Sequence, residues 1–494
     1  MFARLRTLLW PADQARRFLS VLLLLVICQQ VLIVLIFPPF SGHDEVAHFD
    51  YARLLAQEQR LPLIPELDEW RTSTESGLTP EGDFISPDLY AYCLFTLEWW
   101  PCEPDNPDLA ANPPYEAVSD TDGLRYPIAW QYAANHPPLF YVLAAPVQKL
   151  IDGQGLGLQI RILRLLAIPF ALLLVAGTFA LARQVVPGSA FLPAAAASFI
   201  AFQPQIAFSG AIFNNDVTVI ATSSWLLALL LYGMRRGFNW RVVGELGVLL
   251  GVGMLFKGTA IMLAPVIGIG MVLGIGWRNV REWAPKGAAV AAIGFGIAAP
   301  WNLLLYRRYG SFDALDQVER LQALWNYPDG APSFFELLTD GGFASRFWRE
   351  LWGGFGWRRI PLEDGLLTLI GLICLLCAAG LATMAVRNLR EHPSGSVASA
   401  RAIERNQFVV LLSTVVIGYL AVIQFGTTFM LAQARYAFPV MPAVAVLLSA
   451  GLRALVPERW RSAALVVWVA LLLSLSIYIY SAYVIPYWYL GEPR

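Results

Sequence analysis

Apolar residues along this chain run in long blocks, not in the alternation of a half-buried strand or the one-sided stripe of a soluble helix. A bilayer core of about 30 Å asks for roughly 20 apolar residues per helix, and the chain offers on the order of 11 to 13 such stretches. The first runs from Phe18 to Phe37, behind Arg4, Arg6, Arg16 and Arg17. It is too long for a signal peptide and no small-residue cleavage site follows, so a retained span with a cytoplasmic amino terminus is expected. Further spans are expected near 138–151, 161–183, 189–210, 215–233, 242–256, 259–276, 286–305, 364–386, 407–428, 435–455 and 463–485. The pattern predicts an all-α integral membrane protein and excludes a single soluble domain.

Polar residues divide the chain into a first span (1–37), a long loop (38–136) and a multi-span region (137–494) with a second loop at 306–360. The first loop holds 18 of the 36 acidic residues but only four arginines, which puts it outside the cytoplasm. Its many aromatics predict a small ordered subdomain. Arg161 and Arg164, Arg235, Arg236 and Arg241, Arg278 and Arg281, and the stretch from Arg387 to Arg405 read as cytoplasmic. Three apolar segments between Arg161 and Arg235 conflict with that assignment. One of them is therefore expected to be broken, ending at Phe213 to Asp216. Lys257, the 306–360 loop and Gln433 to Arg435 then fall on the outer face.

Composition adds little to this picture: 14% of residues are charged and the net charge is -1, so nucleic acid is not an expected partner. Five cysteines make no disulfide framework. Cys28, Cys374 and Cys377 read as small packing residues, and Cys93 and Cys102 share a polar loop where a bridge could form.

Candidate chemistry gathers at a few points. His43, Asp44, Glu45 and His48 follow the first span within a few residues. Such a cluster is costly to leave unpaired beside hydrocarbon. One carboxylate could act as base while the other, with His48, holds a metal or a phosphate-bound cation; a helix amino-terminal cap would also explain them. His136, before Pro137 and Pro138, suits a metal site or proton transfer, or simply lies at the interface. Asn214, Asn215 and Asp216 interrupt an apolar stretch, as a functional group or as a connecting turn. Lys257, one of three lysines, and Arg435 beside Tyr436 suit a phosphate, though either could serve a headgroup instead. Trp348, Trp352, Gly353, Gly354, Phe355, Gly356 and Trp357 could stack on a sugar ring, or merely populate an interface. No nucleotide fingerprint or nucleophile elbow is present, which leaves the energy source in the substrate.

A carboxylate pair after the first span, His136-Pro137-Pro138-Leu139 opening the second, the Asn215-Asp216 break and the late Arg435-Tyr436 segment together resemble the GT-C glycosyltransferases. The protein O-mannosyltransferase and lipid A aminoarabinose transferase families are the nearest groups. Trp352 to Trp357 and Ala434 to Pro439 are similar to a related prokaryotic membrane family. The resemblance implies a GT-C-like polytopic helical bundle with a polyprenyl-phosphate-linked sugar as donor. It also implies a glycan, lipid or protein acceptor hydroxyl on the extracytoplasmic face of the cell membrane, and inversion at the anomeric carbon. It implies Asp44 as general base, Asp216 as a second acidic residue, and Glu45 and His136 as candidates for a divalent metal or the donor. Lys257 and Arg435 would neutralise the leaving phosphate. The first loop is longer and more acidic than in the better-known families, which bears on the acceptor. A flippase of lipid-linked sugar is the main alternative, and a non-catalytic glycan-lipid binder the second; the gathering of charges at one interface favours an enzyme.

Overall fold

A computed structural model describes residues 14–65, 82–83, 85–86, 89, 130–322, 327, 330–390, 395–430 and 432–490. Cys93 and Cys102, and most of the expected loop subdomain, lie outside the described residues. The described chain is almost wholly helical. It opens with α1 (Gln14–Ile36) and the short α2 (Glu45–Gln57). Then come α3 (Leu139–Ile151), α4 (Leu156–Leu165), α5 (Ile168–Val185), α6 (Phe191–Phe202), α7 (Pro204–Ser209), α8 (Asp216–Arg236) and α9 (Trp240–Phe256). A 3₁₀ turn, Gly258–Met262, leads into α10 (Leu263–Ile275) and α11 (Val280–Tyr309). The second loop carries α12 (Leu315–Gln322), α13 (Phe334–Thr339), α14 (Gly341–Trp352) and the single turn α15 (Phe355–Arg358). Last come α16 (Asp364–Arg390), α17 (Gly395–Gly426), a 3₁₀ segment Ala434–Val440, α18 (Met441–Leu455) and α19 (Arg461–Ile479).

Nine helical stretches among the described residues are long and apolar enough to cross a membrane. In hydrocarbon, helices gain little from hiding apolar surface and associate instead by close backbone packing. Glycine permits that here. A Cβ on Gly451 of α18 would stand 1.8 Å from the Cys377 carbonyl oxygen of α16, and Gly247 and Gly251 of α9 lie under Ile293 and Ile297 of α11. Cys377 is buried at the first crossing, as a packing residue should be, whereas Cys28 is exposed on α1.

Two expectations need correction. The 138–151 block forms a helix of only 13 residues, about 20 Å long, short of a bilayer core. It lies beside the charged α2, tied to it by Tyr51 stacked on Tyr141 at 3.7 Å and by Gln57 donating to Asp152. Arg164 is not part of a cytoplasmic cluster: it is fully buried and bound to Glu45. The positive-inside rule counts cations in solvated loops, and Arg164 is spent inside the protein. With Arg164 at the Glu45 end, the run from α4 to α8 alternates ends without conflict. Far along that run, Arg235 donates to the Gln184 and Val185 carbonyls at the opposite end.

The segment before α8 is broken nonetheless. Helix α6 stops at Gln203, restarts as α7, and leaves residues 210–215 irregular. Every residue from 203 to 216 is buried, as irregular backbone at this depth requires.

The Glu45–Arg164 pair closes the junction. Glu45 Oε1 accepts from Arg164 Nε and from the Phe213 N–H, both at 2.8 Å. Its Oε2 accepts from Arg164 Nη2 at 2.6 Å and from the Gly42 N–H at 2.8 Å. The remaining Arg164 protons reach the carbonyls of Phe37 and Pro38, each at 2.7 Å. Removing one partner of a buried pair strands the other's charge, at a cost of about 3–5 kcal/mol. Glu45→Gln is therefore expected to lower the thermal midpoint of detergent-purified protein by many degrees; a midpoint equal to wild type would show that the pair is dispensable.

Candidate functional site

Asp44 ends the turn between α1 and α2 in a left-handed conformation, φ 59°. Few non-glycine residues adopt it, and such strain is held only where the surroundings over-determine it. The surroundings here are Gly42, whose Cβ would meet the Glu45 carboxyl group at 2.5 Å, and Glu45 itself, locked on Arg164. Asp44 occupies the N-cap position of α2, yet its side chain caps no N–H. It forms instead an ion pair with Arg435.

Asp216 is the first residue of α8, where the helix dipole favours negative charge. Its backbone N–H donates to Asn214 Oδ1 at 3.0 Å, and Asn214 Nδ2 donates to Asp216 Oδ2 at 3.2 Å. Lys257, at the end of α9, pairs with Asp216 Oδ1, and Arg435 Nη1 lies 3.6 Å from Asp216 Oδ2. The result is one alternating chain, Asp44, Arg435, Asp216, Lys257, drawn from four separate segments. Tyr436 lies beneath both cations, with Arg435 5.4 Å and Lys257 5.6 Å from its ring centroid. The side chain of Asp44 is 15% exposed, against 3% for Asp216, which makes Asp44 the carboxylate more open to a visiting group.

The histidines form a layer behind this chain. His48 Nδ1 lies 2.6 Å from the Tyr141 hydroxyl, and His136 Nδ1 lies 3.2 Å from Asn215 Nδ2, with the two imidazoles 5.3 Å apart. Asn215 also donates to the Phe256 carbonyl at 2.9 Å, next to Lys257. Burial holds the pKa of His43 and of His48 down to about 3, helped by Arg435 at His43 and Lys257 at His48. Burial, with His48 as neighbour, also holds His136 well below the ordinary range. All three are neutral at pH 7.

Asp44, Asp216, Lys257, Arg435 and Tyr436 thus come together, with His48, His136 and Asn215 adjoining them. Glu45 stands apart from the chemistry, because both of its oxygens are committed to Arg164 and two backbone N–H groups. Trp352 is 3% exposed and packs edge-on against Phe199 and Trp348, so it is a core side chain and not a sugar platform. The Trp357 side chain lies outside the described residues. Glu45 and His136 do not fit a divalent ion, Glu45 being sealed and His136 facing Asn215 and Tyr141. Among the described residues no three His, Cys, Asp or Glu side chains gather as a metal site. Asp44 and Asp216, moreover, already face cations. Sequence reasoning missed Arg164 as the partner of Glu45, and missed Glu350 and Arg358 near Arg435. Arg358 follows the glycine and aromatic run directly, a signal that pointed to the aromatics and not to the cation.

Residues 135–303 match a family model described as dolichyl-phosphate-mannose-protein mannosyltransferase. That segment contains His136, Asn215, Asp216 and Lys257. No curated protein matches the chain. The structure is similar to the apo form of the Archaeoglobus fulgidus oligosaccharyltransferase, with a TM-score of 0.52 at 14% identity over 96% of this chain and 56% of that one. It is also similar to the oligosaccharyltransferase AglB of that organism in complex with an inhibitory peptide and a dolichol-phosphate, with a TM-score of 0.50 at 13% identity over 93% and 55%. ArnT from Cupriavidus metallidurans bound to undecaprenyl phosphate aligns with a TM-score of 0.42 at 16% identity over 89% and 61%. The chain spans little more than half the length of these proteins. At such identities the likeness is one of fold: the chain has the GT-C fold that its motifs resemble.

Neutral buried histidines have a consequence for stability. An unfolded histidine takes up a proton near pH 6.5, whereas His43 and His48 resist until about pH 3. Between those values the unfolded state binds more protons, so stability falls as pH falls, by up to about 1.4 kcal/mol per pH unit for each histidine. The thermal midpoint is expected to drop from pH 7 to pH 5, with a shallower drop in His48→Gln. A midpoint unchanged over this range would mean that these imidazoles are charged in the fold.

Proposed function

We propose that this GT-C-fold chain is a membrane glycosyltransferase that moves a sugar from a polyprenyl-phosphate carrier to an acceptor hydroxyl, inverting the anomeric centre. The observation that carries the reading is the alternating ion-pair chain of Asp44, Arg435, Asp216 and Lys257 at one end of an apolar bundle. A soluble substrate would not need its charges met at the edge of hydrocarbon. A lipid phosphate does: its tail lies among the helices and its anion meets Lys257 and Arg435. The dolichol-phosphate in the AglB complex supports the same kind of ligand on this fold.

In the proposed step the acceptor hydroxyl gives its proton to Asp44 while its oxygen bonds to the anomeric carbon. The bond from that carbon to the carrier phosphate breaks on the opposite face, and its electron pair leaves on the phosphate. Lys257 and Arg435 meet the charge that grows there, which is where preorganised cations contribute most. Asp216 holds both cations in place. Asn215, which also contacts His136, holds the Phe256 carbonyl next to Lys257.

The site end is assigned to the extracytoplasmic face from charge. Arg183, Arg235, Arg236, Arg278 and Arg453 lie at helix ends opposite the site, whereas the described flanks of the acidic first loop, residues 38–65 and 130–136, lie at the site end.

Asp44→Asn is expected to leave the protein folded and to lower transfer from a polyprenyl-phosphate sugar by about 10²- to 10⁴-fold in liposomes, the usual contribution of a positioned base. Full activity would remove Asp44 from the chemistry. Lipid-linked sugar that crosses the bilayer without reacting would favour a flippase. For sidedness, a cysteine placed at exposed Glu363 should react with an impermeant reagent added outside intact cells. Labelling only after lysis would invert the assignment.

A further inference from the structure

Beside the Asp44–Arg435 pair stands a second group of charged side chains that the proposed step leaves unused. Helix α14 supplies Arg346 and Glu350, and α15 ends on Arg358. Glu350 ties this group to the site. Its Oε2 accepts a 2.9 Å hydrogen bond from the Ala434 N–H, the residue before Arg435, and its Oε1 lies 2.7 Å from Arg358 Nη2.

Arg358 is held in an unusual posture. Its backbone is left-handed at φ 68°, two residues after Gly356, which is also left-handed and packed on the Trp488 ring. The Arg358 side chain is 28% exposed, and its buried Nε has no hydrogen-bond partner. A guanidinium with an unused N–H at the edge of an anion site is suited to fork onto phosphate. Arg435 Nε is likewise buried without a partner. Arg346 is half-buried over the Phe343 ring and has no carboxylate partner among the described residues. In this neighbourhood four cations, Lys257, Arg346, Arg358 and Arg435, face three carboxylates, Asp44, Asp216 and Glu350. The surplus lies on the α14–α15 side, beyond the part of the site that a single phosphate needs.

We infer that Arg358, backed by Arg346, forms a second anion subsite that takes the second phosphate of a carrier lipid joined to its sugar through a diphosphate. This rests on reading the main cluster as a carrier-lipid site. Lys257 and Arg435 meet one phosphate, and Arg358, held alongside by Glu350, meets the other. Glu350 sets the distance between the two subsites because it binds Arg358 and the backbone beside Arg435 at once.

The test is binding of farnesyl phosphate and farnesyl diphosphate to the full-length protein in detergent, for wild type and for Arg358→Gln. Wild type is expected to bind the diphosphate at least about tenfold more tightly, the size of one charge-assisted hydrogen bond, and Arg358→Gln to erase that ratio. If Arg358→Gln does not fold, Arg346→Gln and Arg358→Lys take its place, the first expected to reduce the ratio and the second to keep part of it. Equal binding of the two lipids by wild type overturns the inference and leaves the carrier-lipid reading standing. A diphosphate preference that survives Arg358→Gln also overturns it. Binding of neither lipid removes the carrier-lipid reading, and the second subsite falls with it.

Discussion

The buried pair of Glu45 and Arg164 is the contact on which the site geometry depends. Its two groups hold, within one hydrogen-bonded knot, the end of α1, the turn at Gly42, the start of α2 and the irregular backbone at Phe213. Asp44 is next to one partner of that knot, and Asp216 lies three residues beyond Phe213. The pair therefore sets the distance between the two carboxylates that face the cations, although it touches neither. A buried ion pair is weak evidence for stability, since a hydrophobic replacement can pack as well. What it supplies here is register between segments far apart in sequence, and both hydrogen-bonding faces of the carboxylate are used to supply it.

The second constraint is charge balance near hydrocarbon. An isolated cation or carboxylate at this depth is expensive, so the site assembles as alternating signs, with Tyr436 beneath both cations. That arrangement also suits chemistry. On the proposed reading, a phosphate arriving at Lys257 and Arg435 competes with Asp216 and Asp44 for the same protons, so its binding and the release of a carboxylate are coupled. The neutral histidines behind the cluster fit the same rule, because a further positive charge there would face Lys257 and Arg435.

Much of the architecture was legible in the apolar blocks. Helical membrane segments must satisfy their own backbone, so their positions follow from composition alone. The break before Asp216 and the grouping of Asp44, Asp216, Lys257 and Arg435 at one end were also legible, from Asn214 and Asn215 interrupting a span and from the alternation of helix ends. The 138–151 block was misread because length alone separates a spanning helix from one lying beside its neighbours. Arg164 was misread because a basic residue in a linear string carries no mark of burial.

What the sequence by itself determined is the class of protein and the set of groups available for chemistry, because hydropathy and charge act locally and need no partner to be read. Only the tertiary structure decided which groups are free to act. Glu45 and Asp44 are adjacent and chemically alike, yet one is consumed by Arg164 while the other turns to Arg435. Trp352 is aromatic at an expected sugar platform, yet it packs against Phe199. The physical reason is the same in each case: a side chain's role follows from the partners that desolvate or neutralise it, and those partners come from helices distant in sequence.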